Sequence, residues 1–477
     1  MEFSVYRKNV SAFLESCYPS AGVFDAEAWK ESKESSMASM RSRSFIIPEE
    51  GRTILHKSIS QRIADKDWAF ASTPGGCESL EGAHSALETY YLLGELNALS
   101  ASDKKEWLDY FNSFQDRETG YYIGPYIRER GHPSWKDGAV CTHPWDHMHD
   151  HMVSCLCPDL MLLGGTSRYK LSEGTMTGRF LEREYLESFL YGRDWNNYRS
   201  DLNFRRHNPW WMGNEFWYPA AILWQITQWE TGAPAGKSAR ALLDTVWYPW
   251  HDENMGTTGF WYGDREGPVE FRWHGKLPVG SEPEHILTPE EYEWASFQIM
   301  GGAHQLWFYD FENHPIPEKS RMKQTDILLS LQNLRDHRFG LGAPDCEASN
   351  SNNCTDVDCM TLLAYNYFKS DYRRNEIAAA LHRAALSILN HKINRWGVLD
   401  SNPQANFCHC FNSFETFSPA GWGNVLDQSF YLWALISAFS VLSNFGVRDE
   451  AIQSFISNPW PAMPSHWLWV PGLGNKG

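Results

Sequence analysis

The chain has 477 residues, a formal net charge of −17, 15% aromatic residues and 23 tryptophans. The acidic balance leaves no basic stripe for phosphates and excludes nucleic acid as a partner. The longest apolar run, Phe430–Leu442, carries two serines and is shorter than the ~20 residues that a membrane span needs, so it reads as a buried helix.

Taken in order, the first residues, MEFSVYRKNVSAFLESCY, contain no uninterrupted apolar stretch, and no secretory signal is expected. The ten cysteines fall in Cys155-x-Cys157, Cys408-x-Cys410 and singles, not in a disulfide framework. A reducing cytoplasm is the expected setting. Residues 1–50 read as a short helix followed by a polar, Ser-rich surface strap. From Gly82 to Leu99, Leu87, Tyr90 and Tyr91 gather on one helical face. Ser102 is the expected cap of the next helix, in which Trp107, Phe111 and Phe114 recur at three to four. That helix ends in Gln115 to Tyr121, with Gly120 at the turn.

Residues 133–159 are the densest polar cluster. His143, His147 and His151 are spaced by four and would share one helical face, with His149 off it and Asp146 and Asp150 forming a second row. Such a row suits proton shuttling or metal binding, and equally suits hydrogen-bonded histidines packed at a pocket end. The zincin arrangement is absent, so no metal or other cofactor is assigned. Trp145 stands beside the row. Residues 194–231 then bring His207, Trp210, Trp211, Asn214, Glu215 and Trp217 to the start of a helix that is apolar almost all round. Polar groups among rings are the make-up of a small-molecule pocket, or of a capped helix in a Trp-rich core. Trp261 and Trp422 extend that ring-lined set.

Residues 264–290, rich in Pro, Gly and charge, read as an insertion or lid, and Thr288 with Glu291 forms a capping box for a helix over Pro289–Tyr309. The stretch Leu328–Phe368 then gives helix end, Gly turn, polar loop and a new helix over Met360–Phe368. Thr355 and Asp356 are N-cap candidates there, with Asp358 in the first turn. Alternatively, one carboxyl faces a cavity as a general acid, its pKa raised by burial and by its neighbour. A Gly turn after an apolar helix recurs near 120, 259, 340 and 397. This irregular spacing predicts an all-α chain, an (α/α)6-like toroid of helical hairpins over residues 51–457 with an extended tail at 458–477. Nothing in the sequence fixes the oligomeric state.

Leu331-Gln332-Asn333, Phe339-Gly340, Asp356-Val357-Asp358 and Thr361-Leu362-Leu363-Ala364 together resemble the repeat of the prenyltransferase and squalene-cyclase (terpenoid cyclase) superfamily. The resemblance covers the C-terminal third, and the aromatic and the Gly stand in reversed order. It implies an α/α toroid. In class II terpene cyclases the middle Asp of Asp-x-Asp-Asp protonates an alkene, and Asp358 matches that acid, with Cys359 where the last Asp would stand. Three functions follow as expectations. One is a terpenoid-cyclase-like enzyme that uses Asp358, with Asp356 as its neighbour, to start cyclisation or isomerisation of an isoprenoid-type substrate. Another is a carbohydrate-active toroid (epimerase, hydrolase or lyase) using His147 or His151 with Asp356, Asp358 or Glu215 on a glycan. The third is a non-catalytic binding scaffold.

Overall fold

The computed structural model describes residues 7–10, 80–123, 144–191, 209–256, 258–261, 289–333, 336–340, 353–392, 399, 407–409, 417–419 and 425–447. The expected strap and the tail at 458–477 lie outside these residues, as does the lid at 264–290 except for its last two residues, and the N-terminal segment is described only over residues 7–10.

The fold is all-α. Among the described residues its main α-helices are α1 (Leu80–Leu92), α2 (Ala101–Ser113), α3 (Pro144–Leu162), α4 (Arg183–Tyr191), α5 (Pro209–Trp229), α6 (Pro234–Leu242), α7 (Tyr248–Asn254), α8 (Pro289–Phe311), α9 (Glu318–Ser330), α10 (Asn353–Lys369), α11 (Arg374–His391) and α12 (Val425–Leu442). Among the described residues the strands are β1 (Phe407–His409) and β2 (Phe417–Pro419), paired antiparallel with Cys408 opposite Ser418.

Six of these helices form a closed series of contacts: α1 packs on α3, α3 on α5, α5 on α8, α8 on α10, α10 on α12, and α12 back on α1. The others lie between them along the chain, with α2 on α3, α6 on α5, α9 on α10, and α11 on α10 and α12. The sequence explains the division. In α12 every side chain from Tyr431 to Leu442 is buried, and a helix apolar all round must be covered all round. In α2, Trp107 and Phe111 are buried while Lys105 and Asp109 are exposed, so one stripe alone faces inward.

Residue pairs fix the helix directions. Between α5 and α8, Gly213 adjoins Gly301, Trp217 lies beside His304, and Trp224 beside Phe311, so the two run parallel. Between α8 and α10, Met300 meets Thr355, while Asp310 and Asn366 share Arg321. Between α10 and α12, Thr361 meets Ser437 and Tyr367 meets Phe445. The outer helix α9 returns antiparallel, since Glu318 at its start bonds Ser370 just past the end of α10. The segments that lead into the inner helices, such as 192–208, 262–288 and 393–424, are long. Those that leave them, such as 230–233, 312–317 and 370–373, are short.

The recurring Gly turn has a structural basis. After α2, Gln115 bridges to Tyr122 around Gly120; after α9, Gln332 bridges to Phe339 just before Gly340. Gly120, Gly259 and Gly340 have φ of 81°, 80° and 65°, a region that penalises a Cβ. The cap of α2 is Ser100, not Ser102. The Ser100 hydroxyl accepts from the Asp103 N–H, and the Asp103 carboxylate accepts from the Ser100 N–H, because chain entry two residues earlier gives both bonds. Helix α10 likewise begins at Asn353, so Asp356 and Asp358 lie inside the helix and not at its cap.

Candidate active site

The site is built from the inner helices, and helical geometry decides which side chains face inward. In α10 the Thr355 hydroxyl donates to Met300 of α8 (3.1 Å) and Thr361 reaches Ser437 of α12 (3.1 Å). Asp356 points outward: its Oδ1 accepts the Phe339 N–H at 2.9 Å, closing the turn after α9. Asp358, two residues on, lies about 200° further round the helix. That places it on the inward side, between the faces turned to α8 and α12.

Asp358 is buried (2% exposed) and makes no hydrogen bond among the described residues. Burial alone raises its pKa well above the carboxylate range. The expected help from Asp356 is not needed, because the two acids lie on opposite sides of the helix. Asp356 itself is raised to about 6 by burial, against the opposing charge of Arg338 and the Phe339 N–H.

Rings surround the same level. His304 of α8 lies between Trp217 of α5 (5.0 Å) and Trp307 (4.9 Å). Trp307 meets Trp433 of α12 at 4.8 Å. Helices α8 and α12 are separated by α10 in the ring, so this contact crosses the interior. His304 is one turn past Met300, as Asp358 is nearly one turn past Thr355. Trp433 precedes Ser437 by one turn, as Asp358 nearly does Thr361. Asp358 is therefore level with His304 and Trp433. Burial lowers the His304 pKa to about 4, leaving its imidazole neutral at pH 7.

The chain of contacts continues round the ring. Trp217 packs on Tyr218, and the Tyr218 hydroxyl lies 3.3 Å from Nδ1 of His151 on α3. His151 lies 3.6 Å from Sγ of Cys155, and Cys155 is near enough to His84 of α1 to help raise its pKa. Nδ1 of His84 is 2.7 Å from Oδ2 of Asp159, and its Nε2 is 3.7 Å from Glu88. Ser429 of α12 is near enough to Glu88 to lower its pKa, which closes the circuit. Burial opposes the charge on His84, but Glu88 and Asp159 outweigh it and hold the imidazole well above its usual pKa. Burial raises Glu88 to about 7 and raises Asp159 as well.

The residues expected from the sequence divide as follows. His151 faces this circuit. His149 lies off that face, packed on Tyr121 at 4.8 Å, and Asp150 is paired with Arg179 at 2.6 Å. Glu215 is buried in α5, and Trp217 lies in the ring cluster. Trp261 belongs to the core between α7 and α8, its Nε1 donating to the His251 carbonyl at 2.8 Å. Trp145, His147, Trp210, Trp211 and Asn214 lie on α3 and α5, where only their backbone is described. His207 and Trp422 lie outside the described residues. The sequence reading missed His84, Glu88, Cys155, Asp159 and His304. A signal existed: His151, Cys155 and Asp159 continue the four-residue spacing of the His row, and His84 and Glu88 share it.

Comparisons with family models, with curated proteins and with solved structures find no match to this chain.

Proposed function

We propose that the protein is an acid–base enzyme that isomerises or cyclises an isoprenoid-type small molecule inside the helical ring, with Asp358 as the proton donor. One observation carries this reading. A buried carboxyl with no hydrogen-bond partner among the described residues lies on the inward side of α10, level with a cluster of Trp and His rings. Burying such a group is unfavourable, and perturbed buried acids concentrate at functional sites.

In this reading the Asp358 O–H breaks and its proton forms a C–H bond with a substrate alkene. The positive charge lands on the adjacent carbon. The faces of Trp217, Trp307 and Trp433 stabilise that cation through their quadrupoles. A C–H next to a carbocation is acidic enough for a weak base, and neutral His304 is the proposed acceptor. The expected resemblance to terpenoid cyclases supports the same chemistry. The reaction is proposed for the reducing, cytoplasmic setting expected from the sequence.

The test is incubation of the protein with isoprenoid alkenes and alcohols in D2O, with products read by mass spectrometry. A product carrying one deuterium, absent with Asp358→Asn, supports the proposal. Turnover of glycans instead, with Asp358→Asn active, overturns it.

A further inference from the structure

The polar side of the ring, away from Asp358, poses a charge problem. His84, Glu88 and Asp159 are all buried, and one donor atom from each lies within 4.8 Å of the others. Two carboxylates share one imidazole. Among the described residues no lysine or arginine is among the charges acting on Glu88 or Asp159. Asp159 is fully buried, yet its Oδ1 makes no hydrogen bond among the described residues, and its Oδ2 is turned to His84. An unsatisfied buried carboxylate oxygen costs free energy. Protons can neutralise such a cluster. A dication does it more completely, because it satisfies both carboxylates while leaving the imidazole neutral.

The separations fit. Donors bound at about 2.0–2.2 Å around a tetrahedral ion lie about 3.3 Å apart. One donor atom each from His84, Glu88 and Asp159 lies within 4.8 Å of the other two, so a modest side-chain adjustment brings the three to that spacing around one ion. We infer that His84, Glu88 and Asp159 form a binding site for a divalent cation of borderline type, such as Zn2+. One imidazole and two carboxylates suit Zn2+, Mn2+ or Fe2+. Three protein ligands leave a coordination position for water or substrate. Polar groups that could orient the ligands stand beside them: Ser429 near Glu88 and Cys155 near His84. The two ligands on α1, one turn apart, face the third on α3, so the ion would tie these two helices together.

The test uses the full chain, stripped with a chelator and titrated with Zn2+ alone. We expect one ion bound per chain, with proton release measured from the buffer dependence of the heat. Glu88→Gln and Asp159→Asn should each weaken binding by more than ~100-fold while keeping the far-UV helix signal. Asp358→Asn should bind Zn2+ as the wild type does, which separates this site from the proposed acid. No uptake of Zn2+ or Mn2+ overturns the inference, as does undiminished binding in folded Glu88→Gln. If both carboxyl variants fail to fold, the Co2+ spectrum of the wild type decides. Bands of nitrogen and oxygen ligation support the site, and a thiolate charge-transfer band, marking a cysteine site, overturns it.

Discussion

Asp159 and His84 are 75 residues apart in the chain, yet the carboxylate of one lies 2.7 Å from Nδ1 of the other, with both side chains buried. The pair joins α1 to α3. Removing one partner of a buried pair strands the other, which costs about 3–5 kcal/mol. In the metal-free protein, Asp159→Ala should destabilise by that order in a denaturant titration. The His84 pKa should fall, because burial would then be opposed by Glu88 without Asp159.

The close approach of α5 and α8 rests on two glycines. A Cβ built on Gly213 would lie 1.9 Å from the Gly301 carbonyl oxygen, which is backbone and cannot rotate away. Gly213→Ala should therefore force the helices apart and cost on the order of 1–3 kcal/mol, the usual range for overpacking. Thermal unfolding should show a lower midpoint. An unchanged midpoint would mean that the crossing is looser than described.

Acid stability should depend on buried histidines. His251 is fully buried, its Nδ1 is 2.9 Å from the Trp247 carbonyl, and burial lowers its pKa to about 3. Its unfolded value is near 6.5. Between those values the unfolded chain binds the proton and the folded one does not, so its contribution is full above about pH 6.5 and is lost as pH falls toward 3. Glu88 acts oppositely: its folded pKa of about 7 lies above the unfolded value, so its contribution is lost as pH rises from about 4.3 through 7. Stability measured against pH for wild type and His251→Gln isolates the first effect, and the variant should show the shallower acid limb.

Much of the fold was legible because burial leaves a periodic trace. The apolar circumference of α12 and the one-sided stripe of α2 distinguish an inner helix from an outer one by residue pattern alone. The turn after α9 was legible through Gly340, whose positive φ few other residues accept. The site was less so. His151 and Asp358 stood out beside other polar residues. His84, Glu88 and Asp159 are single polar residues within apolar helices, and such residues are more often satisfied core groups than ligands. What makes them a cluster is the contact of α1 with α3 and α12, and no local pattern encodes that closure. The boundaries differ where a cap competes with a helix interior: Asp356 has a capping residue's chemistry but directs it to the Phe339 N–H.

The central claim is that Asp358 holds a transferable proton in the ring interior. The most direct test is the infrared carbonyl band of protonated carboxyl groups in wild type and Asp358→Asn, followed from pH 5 to pH 9. Because burial keeps its pKa well above the usual range, the difference spectrum at pH 7 should contain a protonated carboxyl band that is lost in the variant. Turnover on any substrate found should be lost with it, while helix content stays the same. An unchanged carbonyl band at pH 7, or full turnover in Asp358→Asn, would contradict the claim.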